Sequence, residues 1–169
     1  VKSRVNIQIE NKKAKEILNN KTLLLERDLL RAQRVGEIGL WKVCLKTLKI
    51  EGSPEFFRLI GANNTTSIEL ELFEEYIYKE DRDKFKEYWY KICNGDIFEF
   101  EFRTSHNNGK TWLKSINEFD ECIGEEPVSI IGTIQNITKE KTQALKLENI
   151  AYYDYLTGLP NKYSFEQEI

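Results

Sequence analysis

The sequence predicts an α+β domain, an antiparallel sheet with helices placed between its two halves, and three observations carry that prediction. Residues 98–103 read Phe-Glu-Phe-Glu-Phe-Arg, an unbroken alternation that sets Phe98, Phe100 and Phe102 on one face of a strand. Ser53-Pro54-Glu55 is a helix start: the serine oxygen can accept from free backbone N–H groups, proline suits the first turn, and the acid faces the positive dipole end. Strand signals fall in two groups, two before the helical stretch and three after it, which gives the order ββααα-βββ. With 169 residues, 40% hydrophobic and 12% aromatic, the chain can core one domain with modest extensions and is too apolar for disorder.

The elements follow in order. Residues 10–36 read as a helix, because Leu18, Leu25, Leu29 and Ala32 keep three- and four-residue spacing. Thr22 fills a gap, and Leu23, Leu24 and Leu30 widen the stripe; Gly36 and Gly39 end it. Such a helix must pack on the domain that follows or on a second chain in parallel, and both alternatives stand. Residues 39–45 read as a strand with Trp41, Val43 and Leu45 on one face, and residues 48–51 as a second. Phe56, Phe57, Leu59 and Ile60 fill the helix begun at Ser53, and Gly61 stops it.

Thr66 and Glu69 have capping-box spacing for a further short helix, and residues 81–93 for a longer one carrying Phe85, Tyr88, Trp89 and Ile92. After the strand at 98–103, Asn108-Gly109 marks a hairpin, residues 111–119 return, and residues 128–137 form a third strand. A polar helix with Ala144, Leu145, Leu147 and Ile150 comes next.

Charge is uneven. Residues 1–34 hold nine basic and four acidic residues, a net +5 that leaves −8 for the rest of a chain whose total is −3. No aromatic residue interleaves the basic ones, so a solvated helix face is favoured over a nucleic-acid or membrane surface. Cys44, Cys93 and Cys122 are odd in number and far apart, which predicts free, mostly buried thiols in a reducing cytoplasm. The single His106 gives no metal set, and its neighbours Asn107-Asn108-Gly109 predict an exposed turn residue. No apolar run reaches the length that spans a bilayer. The chain holds no methionine and is expected to be a piece of something longer.

Residues 39–138 resemble a PAS domain of the sensory-box type. The carriers are Gly39-Leu40-Trp41, the Ser53-to-Gly61 helix, Glu80-Asp81-Arg82 with Tyr78 and Lys79 in place of the usual His and Pro, Glu101 with Arg103, Asn108-Gly109 with Trp112, and Ile134 through Asn136-Ile137-Thr138, where Asn136 stands for the usual Asp. The resemblance implies a five-stranded antiparallel sheet cupping a helical cluster. Asp154-x-Leu156-Thr157-Gly158-Leu159-Pro160-Asn161 resembles the opening of a GGDEF domain, a family that condenses two GTP molecules to cyclic di-GMP. Its signature loop and metal-binding carboxylates would lie beyond residue 169, so no catalysis is expected of this piece. The implied division is 1–36 an N-terminal helix, 39–138 the PAS domain, 139–152 a signalling helix and 153–169 the start of a GGDEF domain. Ile7-Gln8-Ile9-Glu10-Asn11 loosely repeats the strand-to-helix pattern of residues 134–140, as the end of a preceding module would.

The candidate ligand pocket is Trp41, Phe57, Ile60, Phe98, Phe100, Phe102 and Trp112, although for any single one of the aromatic residues filling the core or covering the sheet's other face is the favoured reading. The candidate relay is Asn136, Ile137 and Thr138 with Asp154, Leu156 and Thr157. Glu101 and Arg103, opposite the phenylalanines, are expected to form cross-strand ion pairs rather than to do chemistry. Neither haem nor flavin is expected, since His106 lies in a turn and Cys93 lacks the photochemical context. The expected partner is a second copy held through the flanking helices, with a small-molecule ligand possible and no nucleic acid or membrane. Against a sensory module of a diguanylate cyclase stands a ligand-free dimerisation or interaction module.

Overall fold

A computed structural model describes residues 2–93, 99–123 and 126–152, without the side chains of 2–6, 121–123, 126 and 127. Six strands form one antiparallel sheet, β1 (Ile38–Cys44), β2 (Lys49–Gly52), β3 (Ser67–Glu69), β4 (Glu99–Arg103), β5 (Trp112–Ile123) and β6 (Glu126–Asn136), in the order β3-β2-β1-β6-β5-β4. The α-helices among the described residues are α1 (Lys2–Gly36), α2 (Pro54–Ile60), α3 (Leu70–Phe73), α4 (Arg82–Cys93) and α5 (Thr138–Tyr152). The α+β class is as the sequence predicts.

Local chemistry places these elements. Ser53 Oγ accepts from Phe56 N at 3.3 Å and also from Leu40 N at 3.1 Å, so the cap of α2 is tied to β1. Gly61, at φ +85°, closes α2 in the left-handed region that glycine tolerates. The face of the sheet bearing Trp41, Val43, Ile50, Phe100, Phe102, Leu113, Ile130 and Ile134 is buried under α2, α3 and α4. At Gly39 the close approach leaves no room for a side chain, since a Cβ would stand 2.4 Å from Phe56 Cα.

Several expectations are corrected. The Thr66 capping box does not form. Residues 67–69 instead add β3 to the edge of β2, with Ile50 opposite Ile68, because Ile68 gains both a ladder and a place in the core. The sheet therefore has six strands rather than five. The N-terminal helix begins at Lys2, not near residue 10, and the Ile7–Asn11 resemblance to a strand end fails because those residues are helical. The hairpin after β4 is wider than two residues: His106–Gly109 forms a 3₁₀ turn with Asn107 and Asn108 left-handed. The described thiols are not deeply buried, Cys44 being half-buried and Cys93 exposed; Cys122 belongs to a side chain outside the description.

Candidate functional site

Two features of the domain can act: its interior and the junction where α1 and α5 leave the sheet. The interior is an aromatic cluster. Tyr88 stacks on Phe100 at 4.7 Å between centroids, Phe100 on Phe102 at 5.4 Å, and Phe73 lies 5.5 Å from Phe85 and 6.2 Å from Phe56. These rings, with Trp41, Ile50, Leu70, Trp89, Ser115 and Ile134, enclose a cavity of about 30 Å³. That is the space of one water molecule. A chain of polar groups crosses this core: Trp41 Nε1 donates to Ser115 Oγ at 3.2 Å, and Tyr88 Oη to Asn117 Oδ1 at 3.1 Å. Burial pushes the Tyr88 phenol up to about 12, so it stays protonated as a donor.

Of the pocket candidates, Trp41, Phe100 and Phe102 line this cavity, whereas Phe57 and Ile60 belong to the core without reaching it. Phe98 lies outside the described residues. Trp112 stands on the other face of the sheet, because it pairs with Arg103 across β4 and β5 and shares that residue's outward side. Sequence reasoning missed Tyr88, Ser115 and Asn117 as cavity or core polar groups. The signal was available, since Ser115 and Asn117 have the same strand parity as the buried Leu113. On the outer sheet face an open trough of about 590 Å³ runs past Leu40, Ile116, Ile131 and Thr133. It is solvent-facing sheet, not an enclosed site.

At the junction, Asn136 Oδ1 accepts from Thr138 N at 3.0 Å and from Thr138 Oγ1 at 2.6 Å, closing an Asx turn that starts α5. Ile137 N donates to Trp112 O at 2.9 Å, and Trp112 N to Thr138 Oγ1 at 2.9 Å. Asn136 N donates to Glu37 O at 3.1 Å, joining the end of α1 to the start of α5. The cap that starts α5 is thus a neutral amide oxygen rather than a carboxylate. Asn136, Ile137 and Thr138 are brought together, while Asp154, Leu156 and Thr157 lie outside the described residues.

The expected cross-strand ion pairs of Glu101 and Arg103 are also corrected. Glu101 faces Lys114 on β5, but its partner is Lys141 of α5, and Lys114 takes Glu99. Arg103 faces Trp112, and its fork reaches back to the segment before α4: Nε and Nη2 contact Asp81 Oδ2 and Oδ1 at 2.9 and 2.7 Å, and Nη2 also meets Glu80 at 3.0 Å. Arg103 holds the Asp81 carboxyl below its ordinary range through these bonds. His106 is an exposed turn residue whose Nδ1 lies 3.0 Å from Thr104 Oγ1. Among the described residues no cluster of His, Cys, Asp and Glu could hold a metal, and no helix is long and apolar enough to cross a membrane.

No family model matches the chain, and no curated protein sequence matches it. Solved structures do. A sensory box histidine kinase/response regulator from Burkholderia thailandensis matches over 69% of this chain and 89% of its own, with a TM-score of 0.57 and 23% identity. The N-terminal domain of a diguanylate cyclase with PAS/PAC sensor from Marinobacter aquaeolei matches over 62% and 98%, at 0.54 and 19%. The PAS domain of a protein from Colwellia psychrerythraea matches over 69% and 98%, at 0.51 and 17%. With the sheet order and the cupped helices, these likenesses establish that the chain carries a PAS-like fold.

Proposed function

We propose that this chain is the sensory and regulatory part of a diguanylate cyclase, dimerising through its flanking helices and relaying a signal through α5 to a GGDEF domain that opens at residues 153–169. The observation that carries the reading is the shared exit of two helices with uncovered apolar faces. Glu37 and Asn136 join the end of α1 to the start of α5, while Leu18, Leu25 and Leu29 on one and Leu145 and Ile150 on the other stay exposed. A single domain leaves both faces in water, and a second copy would cover them. The intact Asp154-to-Asn161 motif and the likeness to a cyclase sensor domain support the choice of output, and a GTP-using output domain supports reading the chain as cytoplasmic.

The domain itself takes no catalytic role. A binding event shifts α5 between two arrangements, and it does so only by as much as it favours one of them. The test fuses residues 1–152 to an intact cyclase domain and compares Leu145→Ser with Ile150→Ser against the parent. Altered cyclic di-GMP output is expected, and unchanged output would reject the relay.

A second reading, a ligand-free dimerisation or interaction module, is favoured by the size of the interior: about 30 Å³ admits nothing larger than water while the rings stay in place. Native mass spectrometry of the purified chain separates the two. A co-purified small molecule rejects the ligand-free reading; a bare dimer supports it.

A further inference from the structure

The interior and α5 are joined by a route that avoids the last strand. Asp81 ends the 3₁₀ turn that leads into α4, and α4 supplies Phe85, Tyr88 and Trp89 to the cavity wall. The Asp81 side chain is 4% exposed, and it receives the Arg103 backbone N–H at 2.8 Å in addition to the guanidinium fork. The Arg103 guanidinium carbon then lies 4.8 Å from the Tyr78 ring centre and 5.4 Å from that of Trp112. Lys141 Nζ of α5 lies 5.1 Å from the same Trp112 ring and pairs with Glu101 on β4 at 2.5 Å. The Trp112 main chain is already bonded to Ile137 and Thr138. Aromatic faces attract cations, and a planar guanidinium fork binds a carboxylate in one fixed orientation, so these contacts transmit position as well as charge.

We propose that Arg103 is a positioning residue that couples α4 to α5, holding Trp112 where Lys141 can seat on it and so clamping the first turn of α5 to the β4–β5 hairpin. A shift of α4 moves Asp81 and therefore Arg103, releases the Trp112 ring, and frees that turn. The use of this link in signalling rests on the reading of α5 as an output helix. The link itself is measured with no output domain present, so its failure and the failure of that reading are separable.

The test is a double-substitution cycle on the 169-residue chain, followed by amide hydrogen exchange. The amides of residues 141–146 report fraying of α5, and those of Val43 and Ile130 in the paired sheet report unfolding of the whole domain. In the parent, Lys141→Met is expected to speed exchange at 141–146 by about threefold, the size of one exposed cation–π contact, while Lys141→Arg preserves protection. In an Arg103→Lys background, which keeps the charge and loses the fork, the same Lys141→Met change is expected to speed exchange by a clearly smaller factor, since only the Glu101 pair is then left to lose. Equal factors in both backgrounds, or no effect in the parent, would overturn the proposal. So would exchange at 141–146 that merely follows Val43 and Ile130, since that reports loss of fold rather than release of a turn.

Discussion

At the scale of single residues, Gly132 shows how little freedom the sheet leaves. Gly132 pairs with Trp41 across β1 and β6, and a Cβ there would stand 2.5 Å from the Trp41 ring and 2.5 Å from Ile116 O. Neither backbone nor ring can give way, because Trp41 is also fixed by Ser115. Gly132→Ala should therefore lower stability by about 1–3 kcal/mol, read as a fall in the urea midpoint with an unchanged slope. Asp81 gives a pH signature. Its folded-state carboxyl lies below its ordinary value because of Arg103, so its contribution is present above the unfolded value of about 3.9 and is lost as pH falls through the lower folded value. In Asp81→Asn, stability should drop at neutral pH and the acid limb of the stability curve should flatten; an unchanged acid limb would show that another carboxylate governs it.

At the scale of elements, the helix start at Ser53, the strand parity of β1 and β4 and the final helix were legible in the sequence, since caps and period-2 alternation are local signals. The β3 segment was not, because its three residues are held by pairing with β2 and by burial of Ile68, neither of which is a local property. The full length of α1 was equally hidden, as Ile7 and Ile9 suit a strand by propensity yet lie in a helix. That helix has its strongest consequence in association. Among its described side chains only Gln33 is buried, and Leu25 and Leu29 are 62% and 56% exposed. Burying one leucine in a dimer seam contributes about 2 kcal/mol, and each substitution removes that leucine from both copies, so Leu25→Ser and Leu29→Ser should each weaken self-association on the order of 1,000-fold. Sedimentation equilibrium measures this. A parent that stays monomeric at high concentration would reject the seam altogether.

At the scale of the whole molecule, the buried aromatic residues among those described are joined into one cluster that ties α2, α3 and α4 to the sheet. Parity alone put Phe100 and Phe102 inside. It could not show whether the rings would surround a ligand or meet each other, which depends on how α3 and α4 lie across the sheet. They meet: Phe73 reaches Phe56, Phe85 and Phe102, and what remains is space for one water. Trp112 was misread for a related reason, since an aromatic side chain announces apolar area and not which face of a strand carries it. The packing makes a last expectation sharp. Phe102 is 2% exposed and contacts rings from both layers, so Phe102→Ala removes contacts that neighbours locked by their own stacking cannot replace. The cost should be about 3–5 kcal/mol, and the void left beside the existing cavity should admit a small planar molecule such as indole. Indole at a hundred times its dissociation constant would then restore about 2.7 kcal/mol, seen as a rise in the melting temperature of Phe102→Ala and none in the parent. A loss below about 1 kcal/mol, far under the usual range for a buried ring, would mean that the rings relax easily, and an interior able to relax in that way could open for a ligand in the parent chain as well.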